Sequence, residues 1–152
     1  MSAEKAELPV LRIALLGAGV VGSEVARMLA DNAEDFSARV GARLELVGVA
    51  VRDAKKDRGG IPAHLLTTDA EKLLDDNIDV VIELMGGIEP AKSLILRALN
   101  NGSSIVTANK ALLATHGHEL FNAADAAGVD LYYEAAVAGA IPIIRSMRES
   151  LA

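Results

Sequence analysis

Short apolar runs alternate along this chain with stretches whose apolar positions recur every three or four residues. Val10–Leu16 reads as a buried strand and runs into a glycine cluster, Gly17-Ala18-Gly19-Val20-Val21-Gly22. From Val20 to about Ala30 the spacing predicts a helix with Val21, Val25, Met28 and Leu29 on its inner face. Leu44–Val51 predicts a second strand, Asp69–Asp75 a short helix, and Asp79–Leu84 a third strand. Over Glu89–Asn100 the stripe Ala91, Leu94, Ile95, Ala98 and Leu99 predicts a helix that Asn101-Gly102 stops. Ser104–Thr107 follows as a brief strand. Asn109–Ala127 is then a long helix with Leu112, Leu113, His116, Leu120, Phe121 and Ala124 inward, closed by Gly128. Val129–Tyr133 makes the fifth strand. Strands that alternate with helices pair in parallel through right-handed crossovers, so the pattern predicts one α/β domain built on a doubly wound parallel sheet.

The glycine cluster gives this sheet a chemistry. It is a G-x-G-x-x-G that follows an apolar strand and opens a helix, the context in which the motif marks a Rossmann-type dinucleotide site. Gly17 permits the tight turn, Gly19 lets the backbone approach a pyrophosphate, and Gly22 allows the helix to pack closely on the sheet. Ala18, Val20 and Val21 complete the loop, whose helix start offers N–H groups and a partial positive charge to phosphates.

The second strand ends Val51-Arg52, and Asp53-Ala54-Lys55-Lys56-Asp57-Arg58 follows. Arg52 stands about where an acid would bond the ribose hydroxyls of NAD, with Lys55, Lys56 and Arg58 nearby, an arrangement that favours NADP and leaves NAD possible. The alternative is a solvated loop, since Asp53 and Asp57 partly neutralise the cluster.

Ligands of such sheets collect at the carboxyl ends of the strands. Three further segments end there: Met85-Gly86-Gly87, Thr107-Ala108-Asn109-Lys110, and Glu134 to Pro142. Lys110 begins a helix, where a cation opposes the helix dipole by ~0.3–1 kcal/mol unless an anion or carboxylate stands near it. The same field suits a lysine that assists proton movement. The alternative is a solvent-facing lysine that tolerates the dipole. Glu83, at the end of its strand, reads as a structural hydrogen-bonding residue rather than a catalytic one. His116 and His118, two apart on a helix, point to different faces and make a poor metal pair. Of Tyr132 and Tyr133, one is expected to pack and the other to face solvent.

Composition narrows the classes. With 152 residues, half of them apolar and none of them cysteine, the chain has a core of its own and no disulfide framework, which fits a reducing cytoplasm. A net charge of −6 and few aromatics argue against a nucleic-acid surface. The longest apolar stretch, Ala135 to Ile144, holds Gly139 and Pro142 and falls short of the ~18 residues of a membrane span. Residues 1–9 read as a tail and 10–141 as the dinucleotide-binding domain. Residues 142–152, with Ile144, Met147 and Leu151 at helical spacing, read as the start of a helix leading to a further domain.

GAGVVG, DVVIELMGGIEP, VTANKALLATHGHELF and YYEAAVAGAIPIIRSMRESL together resemble the amino-terminal domain of homoserine dehydrogenase of the bacterial monofunctional kind, over Leu11 to Leu151. The resemblance implies an oxidoreductase that interconverts L-homoserine and L-aspartate 4-semialdehyde with NAD(P), on the route to threonine and methionine. It implies that Lys110 of the Asn109-Lys110 pair lies close to nicotinamide and substrate, and that Met85, Gly86 and Gly87 contact the cofactor. It also implies a monovalent-cation site, for sodium, at Glu134 and the carbonyls of Val137, Gly139 and Ile141. A capping or salt-bridged carboxylate is the competing reading of Glu134. The family's full-length enzyme is a homo-oligomer whose second domain carries the substrate-binding acids and the principal catalytic lysine. This chain alone is therefore expected to bind cofactor without turnover. Another amino-acid or semialdehyde dehydrogenase, or a stand-alone NAD(P)-sensing module, are the alternatives.

Overall fold

The sheet is built outward from its first strand, in a computed structural model that describes residues 8–133. In chain order the elements are β1 (Val10–Leu16), α1 (Val20–Asp31), α2 (Ala33–Val40), β2 (Arg43–Ala50), a 3-10 turn at Ala63–Leu65, β3 (Leu66–Thr67), α3 (Ala70–Leu74), β4 (Val80–Glu83), α4 (Ala91–Asn100), β5 (Ser104–Thr107), α5 (Lys110–Ala127) and β6 (Leu131–Tyr132). The six strands lie in the order β3-β2-β1-β4-β5-β6, all pairs parallel. That is the doubly wound Rossmann order, and it reverses direction between β1 and β4, where such folds bind ligands.

The two sides of the sheet carry different cores. On one side α3, α4 and α5 cover Ala14, Leu16, Val81 and Ile105 with Leu74, Leu94, Ile95, Leu99, Leu112 and Leu120. All five residues of the stripe expected on α4 are buried. On the other side Leu15 and Val49 meet Ala18 and Ala26, a thinner core completed by the partly buried Val25, Leu46, Ile61 and Leu65.

Here α1 departs from its expected face. Gly22 and Ala26 are buried and Val25 and Leu29 half-buried, while Val21 and Met28 are 60% and 48% exposed. The cause lies at Gly22, where an added Cβ would run into the carbonyl oxygen of Gly17. The close approach at that glycine centres the buried face on the small residues, and Val20 and Val21 project beyond it. His116 also differs from expectation: it lies half-exposed at the rim, with Nδ1 3.4 Å from Glu119.

The pattern passed over α2 and β3. No residue of α2 is fully buried and its half-buried face is short, Ala33, Phe36 and Ser37, while β3 is too short to show a period. β2 contains a bulge: Ile13 pairs with Leu46 and Ala14 with Gly48, leaving Val47 as the extra residue. Val47 and Gly48 both face α3, since a Cβ on Gly48 would meet the Leu73 side chain, and Val49 returns to the α1 side. Residues 142–152, expected to begin a helix, lie outside the described residues, and so do residues 1–7 of the expected tail.

Candidate functional site

Four loops leave the carboxyl ends of β1, β2, β4 and β5 side by side. The first is the glycine loop. Gly17, at φ +97°, donates its N–H to the Ala50 carbonyl at 2.9 Å, and a Cβ there would stand 3.1 Å from backbone atoms of Leu84 and Met85. So Gly17 is where the β1 exit touches the exits of both neighbouring strands. Gly19 has the opposite surroundings, with nothing within 4 Å of an added Cβ. It sits at the start of α1, where no side chain caps the helix and the first turn holds no acid. The free N–H groups and the positive end of α1 therefore face open space, as an anion site requires. Val20, 87% exposed, and Val21 flank that space.

The β2 exit lies beside it. Arg52 is exposed at the mouth of a cleft of about 400 Å³ whose walls include Val51, Thr68, Met85, Pro90 and Leu94. Arg58 does what its sequence position did not suggest. Its Nη1 donates to the Ala18 carbonyl at 2.6 Å and its Nη2 to the Asp53 carbonyl at 3.2 Å, which ties the basic loop to the glycine loop. Arg58 Nε is buried with no hydrogen-bond partner among the described residues. In the sequence Arg58 is only one cation of a cluster. A contact spanning forty positions leaves no local signal.

The β4 and β5 exits are joined through buried polar groups. Glu83 is fully buried; its carboxylate accepts from Met85 N–H at 2.8 Å, Gly86 N–H at 3.1 Å and the Thr107 hydroxyl at 2.6 Å. This is the hydrogen-bonding role expected of it. Gly86 and Gly87 both lie at φ +74°, a conformation other residues rarely adopt. Asn109 caps α5, its side-chain oxygen accepting from Leu112 N–H at 3.1 Å, while its Nδ2 donates to the Gly87 carbonyl at 2.6 Å. Lys110 follows as the first residue of α5, exposed, in a first turn without acids. Met85, Gly86, Gly87, Asn109 and Lys110 are thus brought together, next to the glycine loop. Shifted titrations occur elsewhere, on helix surfaces: Arg97 holds Asp75 below the usual carboxylate range, as Arg27 does Glu24 and Lys92 does Glu119.

Glu134, Val137, Gly139 and Ile141, expected to hold a cation, lie outside the described residues. Among the described residues no group of three His, Cys, Asp or Glu is placed to hold a metal, and no helix is long and apolar enough to cross a membrane. His118 is exposed, as expected, and of the two tyrosines Tyr133 packs edge-on against Phe121 while Tyr132 is half-exposed.

Comparison with known proteins agrees with this geometry. Residues 17–134 match the family described as "Homoserine dehydrogenase, NAD binding domain". Homoserine dehydrogenase of Mycobacterium bovis is 56% identical over 141 residues, covering 92% of this chain and 32% of that protein. The Bacillus subtilis enzyme is 41% identical over 143 residues, covering 93% of this chain and 33% of its own length. Among solved structures, a homoserine dehydrogenase from Thiobacillus denitrificans superposes with a TM-score of 0.86 at 45% identity, over 95% of this chain and 34% of that one. The chain spans about a third of the length of the curated relatives it matches.

Proposed function

The chain belongs to the homoserine dehydrogenase family as its NAD-binding domain, and from that premise we propose that it serves an enzyme interconverting L-homoserine and L-aspartate 4-semialdehyde, with NADP(H) preferred over NAD(H). The observation that carries the reading is the uncapped start of α1. Gly19 stands there in open space, and the Asn109–Lys110 turn lies on the same sheet edge. A pyrophosphate at Gly19 would take the helix N–H groups that no side chain satisfies. The cleft behind Arg52, with Met85, Pro90 and Leu94 in its walls, has the apolar character an adenine ring needs. Arg52 at its mouth suits a 2′-phosphate.

The nicotinamide supplies hydride transfer when bound. Lys110 would hold the substrate oxygen, or move a proton at it, from a position where its charge is disfavoured without a partner. A monovalent cation, sodium, belongs to the same reading: Glu134 and the carbonyls of Val137, Gly139 and Ile141 would offer it the oxygen donors that hard cations prefer. In the full-length protein the reading includes assembly as a homo-oligomer.

Calorimetric titration of the chain with NADPH and NADH, repeated with Arg52→Asp, tests the preference. The expected result is tighter NADPH binding, lost in the variant by about tenfold while NADH binding holds. Equal affinities in the unsubstituted chain, or no response to Arg52→Asp, would remove Arg52 from the site.

A further inference from the structure

We propose that Glu83 is a positioning residue: with Thr107 and Asn109 it closes a ring of hydrogen bonds that makes the cofactor loop Met85–Gly87 and the start of α5 a single unit. The inference rests on the reading that this edge binds a nicotinamide cofactor.

The ring can be followed atom by atom. One oxygen of Glu83 accepts the N–H groups of Met85 and Gly86. The other accepts the Thr107 hydroxyl. With its proton given to Glu83, the Thr107 oxygen accepts from Asn109 N–H at 3.1 Å. Asn109 in turn donates from Nδ2 to the Gly87 carbonyl, which returns the path to the loop where it began. Glu83, Thr107 and Asn109 are all within the buried class, at 0%, 1% and 6% exposure.

Two features make this more than core satisfaction. A carboxylate with no exposure is an expensive way to meet two backbone donors, and none of its partners among the described residues is a cation. A loop of two glycines at positive φ has, moreover, little preference of its own, so its shape is set by whatever holds its N–H and carbonyl groups. Those holders are Glu83 on one side and Asn109 on the other. The residue after Asn109 is Lys110, so any shift of the loop is carried to the lysine's helix and back. The ring keeps the lysine in register with the surface against which the cofactor lies.

The test uses two substitutions of Thr107, one that replaces its hydroxyl with a methyl and one that keeps the hydroxyl and drops the methyl. Amide hydrogen exchange at Met85 and Gly86 is measured on the cofactor-free chain, and NADPH affinity by fluorescence titration. Thr107→Val is expected to speed exchange at both amides, which touch the opposite oxygen of Glu83, and to weaken NADPH binding about tenfold. Thr107→Ser, which restores the hydroxyl, should return both. The double variant Glu83→Gln with Thr107→Val should bind no worse than the weaker single variant, since the ring is broken once. If Thr107→Val does not fold, Asn109→Ala carries the same expectation from the other side of the ring.

Unchanged exchange at Met85 and Gly86, or losses that add in the double variant, would overturn the coupling. Failure of the unsubstituted chain to bind NADPH would instead strike the functional reading, and the exchange measurements would still decide the ring.

Discussion

Two helices begin at the same sheet edge, and they begin in opposite ways. α1 starts at Gly19 with no side-chain cap, no acid in its first turn and exposed valines around it. α5 starts at Asn109, which is buried, caps its own helix and bonds across to Gly87. The first leaves backbone donors bare, so that a ligand can complete them. The second has Leu112 N–H met by its own cap and presents one side chain, Lys110, from a fixed base. The edge thus divides its labour: one helix start binds through the main chain and the other aims a functional group.

The largest expected effect comes from filling the bare start. Gly19→Val points a side chain into space that holds no protein atom, so the fold should persist with its melting temperature nearly unchanged. NADPH affinity should fall roughly a hundredfold, because the side chain occupies the approach of the pyrophosphate. Circular dichroism beside a binding titration separates the two readouts; a folded variant that binds normally would make the two helix starts alike.

A smaller effect is expected from reversing the charge at the second start. Lys110→Glu places an acid where the dipole of α5 favours one, so the chain should gain ~0.3–1 kcal/mol of stability. In the full-length protein the same substitution should lower turnover more than cofactor affinity. Chemical denaturation and steady-state kinetics give the pair of numbers. A variant that is both less stable and fully active would return Lys110 to the role of an ordinary surface lysine.

The smallest effect lies away from both starts. Asp75 accepts from Arg97 at 2.9 and 2.6 Å, and that guanidinium holds its carboxyl below the ordinary aspartate range. A depressed folded-state value means the pair stabilises the fold above the unfolded-state pKa and is lost as pH falls through the folded one. Asp75→Asn should therefore lower the melting temperature slightly near pH 7, with the difference from the unsubstituted chain shrinking as pH falls below the ordinary aspartate range. NADPH binding should not change, since α3 and α4 touch neither helix start through this pair.

What could be read from the sequence follows the same division. The stripe on α4 and the helix stop at Gly102 were visible because they depend on neighbours three and four positions apart. The glycine loop was visible because its order along the chain is its chemistry. Arg58 on Ala18 and Glu83 on Thr107 depend instead on which strands lie side by side, and no periodicity reports that. The inner face of α1 departs from its apolar pattern for a related reason. Hydrophobicity nominated Val21 and Met28, whereas steric closeness at Gly22 chose Ala26 and the residues in line with it.

The bulge in β2 bears on how this domain tolerates changes of length. Val47 and Gly48 fall on one side of the sheet, so everything after them is shifted by one step of the side-chain alternation. Deleting Val47 would straighten the ladder and leave every face as it is, because Leu46 on the α1 side, Gly48 on the α3 side and Val49 on the α1 side then alternate regularly. A one-residue loss at the bulge thus yields a regular strand, a loss elsewhere in β2 reverses the faces of the residues on one side of it, and the loop from Asp53 to Gly60 can change length without touching that alternation. Among relatives of this domain, a one-residue deletion within β2 should fall at the bulge, and other changes of length should gather in that loop.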